Sequence, residues 1–193
     1  MENWSEIMAW LHLKELFQRL FRTSSTKSAN STLVKEVTPE CPVSPNEPIA
    51  RFVTREDRIH WAAIPPTIKE KQFEPDKKYN EVSCLRIEYL DEPATCALGT
   101  GEVCKKETDR ILGWGRFTES LIKQPDPNLH LDPKPDPDFP THARHVNLRG
   151  WPKQTEADWK ARRNSIMQYL AEHVSLQLSQ GGRETMARKQ AAR

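Results

Sequence analysis

The stretch THARHVNLRGWPKQTEADWK, residues 141–160, gathers most of the side chains in this sequence that could do chemistry. Read as a strand, its RHVNLR portion alternates. His145, Asn147 and Arg149 fall on one side, Val146 and Leu148 on the other. An imidazole can pass a proton near neutral pH, a guanidinium can hold a phosphate or carboxylate through two parallel bonds, and an amide can orient either. His145 as general base, Asn147 as orienting group and Arg149 or Arg144 as phosphate holder would make a small hydrolase or nuclease. A structural role competes with this: His145 and Asn147 either satisfy each other's hydrogen bonds beneath a helix or line a pocket.

Metal chemistry is not expected. His142 lies three residues before His145 and so on the opposite side of an extended strand, and the nearest carboxylates, Asp136 and Asp138, sit in a proline-rich loop. No cofactor is implied either, because the phosphate-cradling glycine loop, the G-x-S-x-G turn, the H-E-x-x-H helix and the calcium loop are all missing. Gly150-Trp151-Pro152 reads as a structural anchor. Glycine permits an unusual backbone angle, tryptophan plugs a core, and proline stiffens the exit towards a helix.

The elements that must position these residues are written in the flanking patterns. EVSCLRIEYL, residues 81–90, carries apolar side chains on both faces near its middle and predicts a central strand. ARFV predicts a short strand, and LHL a strand at a sheet edge within a proline-rich loop. EPATCALGTGEVCKK begins as a short helix, with Gly99 or Gly101 as its expected end. DRILGWGRFTESLIKQ holds a short apolar piece that period alone does not assign to strand or helix. Thr155, with Asp158 three residues on, marks the start of a closing helix. Trp159, Ile166, Leu170 and Val174 form its buried stripe, and Gly181-Gly182 ends it.

Composition bounds the rest. The chain has 193 residues, of which 36% are apolar and 29% charged, with 15 prolines against 7 glycines. This predicts one domain with a modest core and stiff connections. Residues 1–22 are dense in Trp, Leu and Phe and predict an amphipathic helix. Its Trp4, Trp10, Leu13, Phe17 and Phe21 must be buried on a partner, in a dimer of the chain, on a membrane surface or back on the domain, a partner or dimer being favoured. Residues 23–48, rich in Ser, Thr and Pro, predict a flexible linker. A small α+β domain is expected over 49–180, with a mixed or antiparallel sheet covered by the closing helix, and a basic disordered tail over 181–193.

The net charge of +2 is too small to argue for nucleic acid by itself, but residues 153–193 carry eight Lys or Arg against four Asp or Glu, so nucleic-acid binding through this arm is a third reading with the least support. Charged residues interrupt the first helix, so no transmembrane segment is expected. Cys41, Cys84, Cys96 and Cys104 form no metal-binding or redox pair, and no secretory leader is apparent. A reduced, cytoplasmic protein is expected.

The succession ARFV, AAIPP, SCLRIEYL and RHVNLRGWP resembles a family of short uncharacterised bacterial proteins that carry an R-H-A-N-I-x-G-W-P block before a final helix. The resemblance spans residues 49–174 and is sharpest at Arg144, His145, Asn147, Gly150, Trp151 and Pro152. Such proteins are similar to small reading frames of mobile elements and defence islands. The resemblance implies the setting of a bacterial multi-gene, anti-phage system, and the helix at 1–22 adds the expectation of an accessory protein that docks through that helix on a larger protein of the same operon or on itself. The His-dependent hydrolase or nuclease is the alternative.

Overall fold

A buried ion pair opens the folded body. Glu47, 3% exposed, receives the guanidinium of Arg86, with Arg86 Nε 2.5 Å from Oε1 and Nη2 2.7 Å from Oε2. The structure, a computed structural model, describes residues 42–104, 106, 108–133 and 144–192. The amphipathic helix expected at 1–22, with Trp4, Trp10, Leu13, Phe17 and Phe21, lies outside the described residues, as does most of the linker. The linker's last residues are a correction: Val43 and Glu47 are buried in the body, because the ion pair with Arg86 anchors them.

The fold is α+β, built on a six-stranded sheet in which every neighbouring pair runs antiparallel. Its strands are β1 (Ile49–Val53), β4 (Val82–Arg86), β5 (Gly113–Phe117), β6 (His130–Pro133), β7 (His145–Arg149) and β8 (Ser175–Leu178), in the order β6-β7-β4-β1-β5-β8. A two-residue hairpin, β2 (Ile59–His60) with β3 (Thr67–Ile68), stands apart from it. The helices are α1 (Glu92–Val103), the single turn α2 (Glu119–Ile122), α3 (Trp159–His173) and α4 (Gln180–Ala191).

Strand alternation gives the sheet two apolar faces, and each has its own cover. On one face Ile49, Val53, Val82, Cys84, Val146 and Leu148 meet Ile166 and Leu170 of α3, together with Ile59, Ile68 and Phe73. On the other, Ala50, Phe52, Leu85 and Trp114 meet Leu98 and Val103 of α1. Both central strands carry apolar residues on both faces because both faces are covered there.

Three boundaries differ from the sequence expectation. Helix α1 runs through Gly99 and Gly101; Asp91 caps its start by accepting from Ala94 N at 2.9 Å, and Phe52 packs against it at Gly99. Helix α3 starts at Trp159, after Asp158 in a left-handed conformation with no side-chain cap, so Thr155 is not its cap. Residues 181–193 are no disordered tail through Ala191. The closing helix ends at His173, β8 follows, and Gly182 lies in the first turn of α4, capped by Ser179. Glycine is required there by contact, since a Cβ on Gly182 would stand 1.8 Å from the Leu112 carbonyl oxygen. The undecided DRILGWGRFTESLIKQ segment is strand β5 followed by α2.

Two outcomes follow. Glu47→Ala leaves Arg86 buried without its counter-charge and costs about 3–5 kcal/mol in chemical denaturation; replacing both partners by apolar residues of similar volume costs much less. Burial pushes the Cys84 thiol from its ordinary 9.0 to about 12, with the Arg51 charge pulling weakly the other way. The folded state therefore holds this proton more tightly than the unfolded chain. That contribution to stability is complete below pH ~9 and is lost as the pH rises towards ~12. Denaturation midpoints of the native protein should fall across that window relative to those of Cys84→Ala.

Candidate functional site

Strand β7 lies between β4 and β6, and its register decides what surrounds the sequence-predicted trio. Leu85 pairs with His145, Ser83 and Asp132 flank Asn147, and His130 pairs with Arg149. Paired residues share a face. His145, Asn147 and Arg149 thus share one face with Ser83, Asp132 and His130, which forms the polar half of the sheet side that α1 covers elsewhere.

Within this group Arg149 is held by two carboxylates. Its Nη2 lies 3.0 Å from Glu81 Oε2, its Nε donates to the same oxygen at 3.1 Å, and its Nη1 is 2.5 Å from Asp132 Oδ2. Arg144 donates from Nη1 to the carbonyls of Arg86 and Glu88 at 3.2 Å each, with the charges of Glu47 and Glu88 nearby. A guanidinium fork already filled by carboxylates has little left to offer a substrate phosphate. His145 is half-buried, and His130 Nδ1 donates to the Asn128 carbonyl at 2.9 Å.

Asn147 is the unusual member. It is 0% exposed, and neither its Oδ1 nor its Nδ2 has a hydrogen-bond partner among the described residues. A buried, unbonded amide of this kind is costly. The structure therefore does not place His145 and Asn147 as a mutually bonded pair. His142, Asp136 and Asp138 lie outside the described residues. Among the described residues no group of three or more His, Cys, Asp or Glu is placed to hold a metal ion.

Gly150, Trp151 and Pro152 form the hinge that leads from β7 towards α3. Gly150 has φ 84°, and a Cβ there would stand 1.9 Å from the Asn128 carbonyl oxygen, so no other residue fits. Trp151 is buried and its indole N–H donates to the Leu148 carbonyl at 3.0 Å. Pro152 accepts from Arg163 Nη2 at 2.9 Å, and Asn80 Nδ2 donates to the Trp151 carbonyl at 3.1 Å. The motif is a packing and hydrogen-bonding unit.

Two further features escape a search for catalytic motifs. The turn of the β2–β3 hairpin, Trp61 to Pro66, is an unbroken apolar run, and Ile64 at its tip is 94% exposed. Trp61 anchors the base of this turn by donating its indole N–H to the Glu56 carbonyl at 2.9 Å. An open hollow of about 440 Å³ lies beside it, lined by Ile59, His60, Trp61, Ala62, Lys69 and Lys189 among others. The second feature is a cationic cleft where β1 ends. The AAIPP letters mark the hairpin tip in the sequence, but only the fold shows that Ile64 stays exposed among the described residues. Among the described residues no helix is long and apolar enough to cross a membrane.

Asn147→Leu tests what the buried amide contributes. Removing both unbonded polar atoms while keeping most of the volume should stabilise the protein by about 1–3 kcal/mol in urea denaturation. No change or a loss would mean that the amide has a partner in solution. No protein-family model, no curated protein and no solved structure matches the chain.

Proposed function

We propose that this protein is a small interaction module, an accessory subunit that docks on a larger partner through apolar surface. The observation that carries the reading is the hairpin tip. Ile64 is 94% exposed at the end of the apolar Trp61–Pro66 run. Transferring one fully exposed isoleucine into a partner's pocket is worth about 1.5–3 kcal/mol. The flanking prolines cut the ordering cost of a turn that binds in one conformation.

The aromatic segment at residues 1–22, with Trp4, Trp10, Leu13, Phe17 and Phe21, supplies a second apolar contact on the sequence reading. Two contacts joined in one chain raise the effective concentration of the second once the first has formed. The resemblance to small reading frames of defence islands supports a setting in a bacterial multi-gene, anti-phage system, with the partner a larger protein of the same operon. The rival hydrolase or nuclease reading through His145, Asn147 and Arg149 has less support, because Arg149 is engaged by Glu81 and Asp132.

The test is affinity purification of the full chain from its native host, with partners identified by mass spectrometry. A stoichiometric partner should be recovered with the native protein. Its recovery should drop at least ten-fold with Ile64→Asp, a surface change that leaves the thermal midpoint within about 2 °C. Undiminished recovery with Ile64→Asp, or no stoichiometric partner at all, would overturn the reading.

A further inference from the structure

The cleft at the end of β1 holds more positive charge than the protein itself neutralises. It encloses about 370 Å³, and Arg51, Arg55, Arg58, Lys71 and Lys77 line it against the carboxylates of Glu74 and Asp76. Arg55 is paired with Asp57 through Nε at 3.0 Å and Nη2 at 2.8 Å. Asp76 Oδ1 accepts from the backbone N–H groups of Lys78 at 2.7 Å and Tyr79 at 3.0 Å, so that oxygen is engaged within its own turn. Glu74 lies in the field of Arg163.

Arg51 and Arg58 donate only to neutral carbonyls, although the Asp57 carboxylate that pairs with Arg55 also lies in the field of Arg58. Arg51 donates from Nε to the Gln72 carbonyl at 3.2 Å and from Nη1 to the Ser83 carbonyl at 2.8 Å. Arg58 donates from Nη1 to the Lys71 carbonyl at 2.5 Å. Carbonyl oxygens fix the plane of a guanidinium without cancelling its charge. Arg51 is pushed below the usual arginine range chiefly by burial; Cys84 pulls the other way, the neighbouring Arg58 adds a smaller push downward, and no carboxylate contributes. A buried cation that lacks its own counter-charge gains from an anion brought in from solution.

We propose that this cleft binds the phosphate group of a small phosphate monoester, gripped by Arg51 and Arg58 and screened by Lys71 and Lys77. The pinned Arg51 keeps its Nη2 donors for the ligand, as a rigid fork suited to phosphate oxygens. Lys71 and Lys77 are exposed and have no side-chain partner among the described residues, which suits a second ring of mobile charge. Phe52, Pro75 and Val103 supply an apolar wall beside the cations. A site of this volume with one apolar wall fits a mononucleotide-sized molecule better than an extended nucleic-acid backbone, which is tracked by a long exposed stripe of cations.

The experiment titrates the full chain with inorganic phosphate, with a nucleoside 5′-monophosphate and with the same nucleoside lacking phosphate, by calorimetry and by amide NMR shifts. The nucleotide should bind saturably and tighter than inorganic phosphate, the bare nucleoside should bind at least ten-fold more weakly, and shifts should centre on Arg58, Lys71 and Val103. The double variant Lys71→Gln/Lys77→Gln should keep its thermal midpoint and weaken nucleotide binding at least ten-fold; Arg58→Gln should weaken it further. No saturable binding, equal binding of the bare nucleoside, or unchanged affinity in the double variant would overturn the proposal. So would saturable binding of a single-stranded oligonucleotide where the mononucleotide does not bind.

Discussion

The two central strands of the sheet stay paired for only two residues, Ile49 with Arg86 and Ala50 with Leu85, and what fills the gap beyond them shapes the rest of the molecule. Arg51 reaches across from β1 to the Ser83 carbonyl of β4, while Gln72 donates from its amide Nε2 to the Phe52 carbonyl at 2.7 Å. Side chains thus take over hydrogen bonds that a continuous ladder would have made. The segment bearing Gln72 is drawn into the sheet by this exchange. Phe73 is carried with it into the core beneath α3, and the β2–β3 hairpin is held out beside it. The cationic cleft is the outer mouth of the same gap.

Glu47 and Arg86 show how the fold treats charge where it needs no ligand. Both are buried, and both fork oxygens are met by guanidinium N–H groups at 2.5 and 2.7 Å. Desolvation is costly for each ion, and the paired geometry offsets it. Arg51, one strand position from the end of the paired region, has no such acid. A fold able to build one tightly matched pair has left the other cation with carbonyl partners alone. That contrast within a single sheet is what makes the cleft chemically distinct, more than its number of cations.

The sequence displayed some of this and concealed the rest for physical reasons. RHVNLR alternates because β7 carries its apolar residues Val146 and Leu148 on one face and its polar residues on the other, so its strand and its faces could be read directly. Gly150-Trp151-Pro152 was legible as a hinge because a left-handed angle and a large buried ring leave few alternatives. The glycines misled. Gly99 and Gly182 look like helix ends, yet both serve close approach, to the ring of Phe52 and to the Leu112 carbonyl, which are tertiary contacts invisible to local pattern. Residues 42–48 read as linker because Pro and Ser dominate them, while their attachment rests on one glutamate meeting an arginine 39 positions away. The engagement of Arg149 by Glu81 and Asp132 was equally hidden, since only strand register brings the three together.

Asn147 lacks hydrogen-bond partners, as do Trp114 Nε1 and Arg163 Nε among the described residues, whereas Arg51 lacks a counter-charge, and the two deficits differ in kind. The Asn147 amide is sealed from solvent on the polar half of one sheet face, so anything that satisfies it must come from within the fold. Arg51 lies at the floor of an open cleft, where an external anion can reach it without disturbing a strand. An unmet hydrogen bond costs stability and can persist, whereas an unmet charge draws an ion out of solution at a rate and strength set by the local field. The apolar hairpin tip and the cationic cleft share the Arg55–Lys77 part of the chain but make opposite demands, one for a greasy partner and one for a hydrated anion. Were both proposals to hold, the partner and the phosphate would occupy different atoms, the hairpin tip at Ile64 and the cleft lined by Arg51 and Arg58.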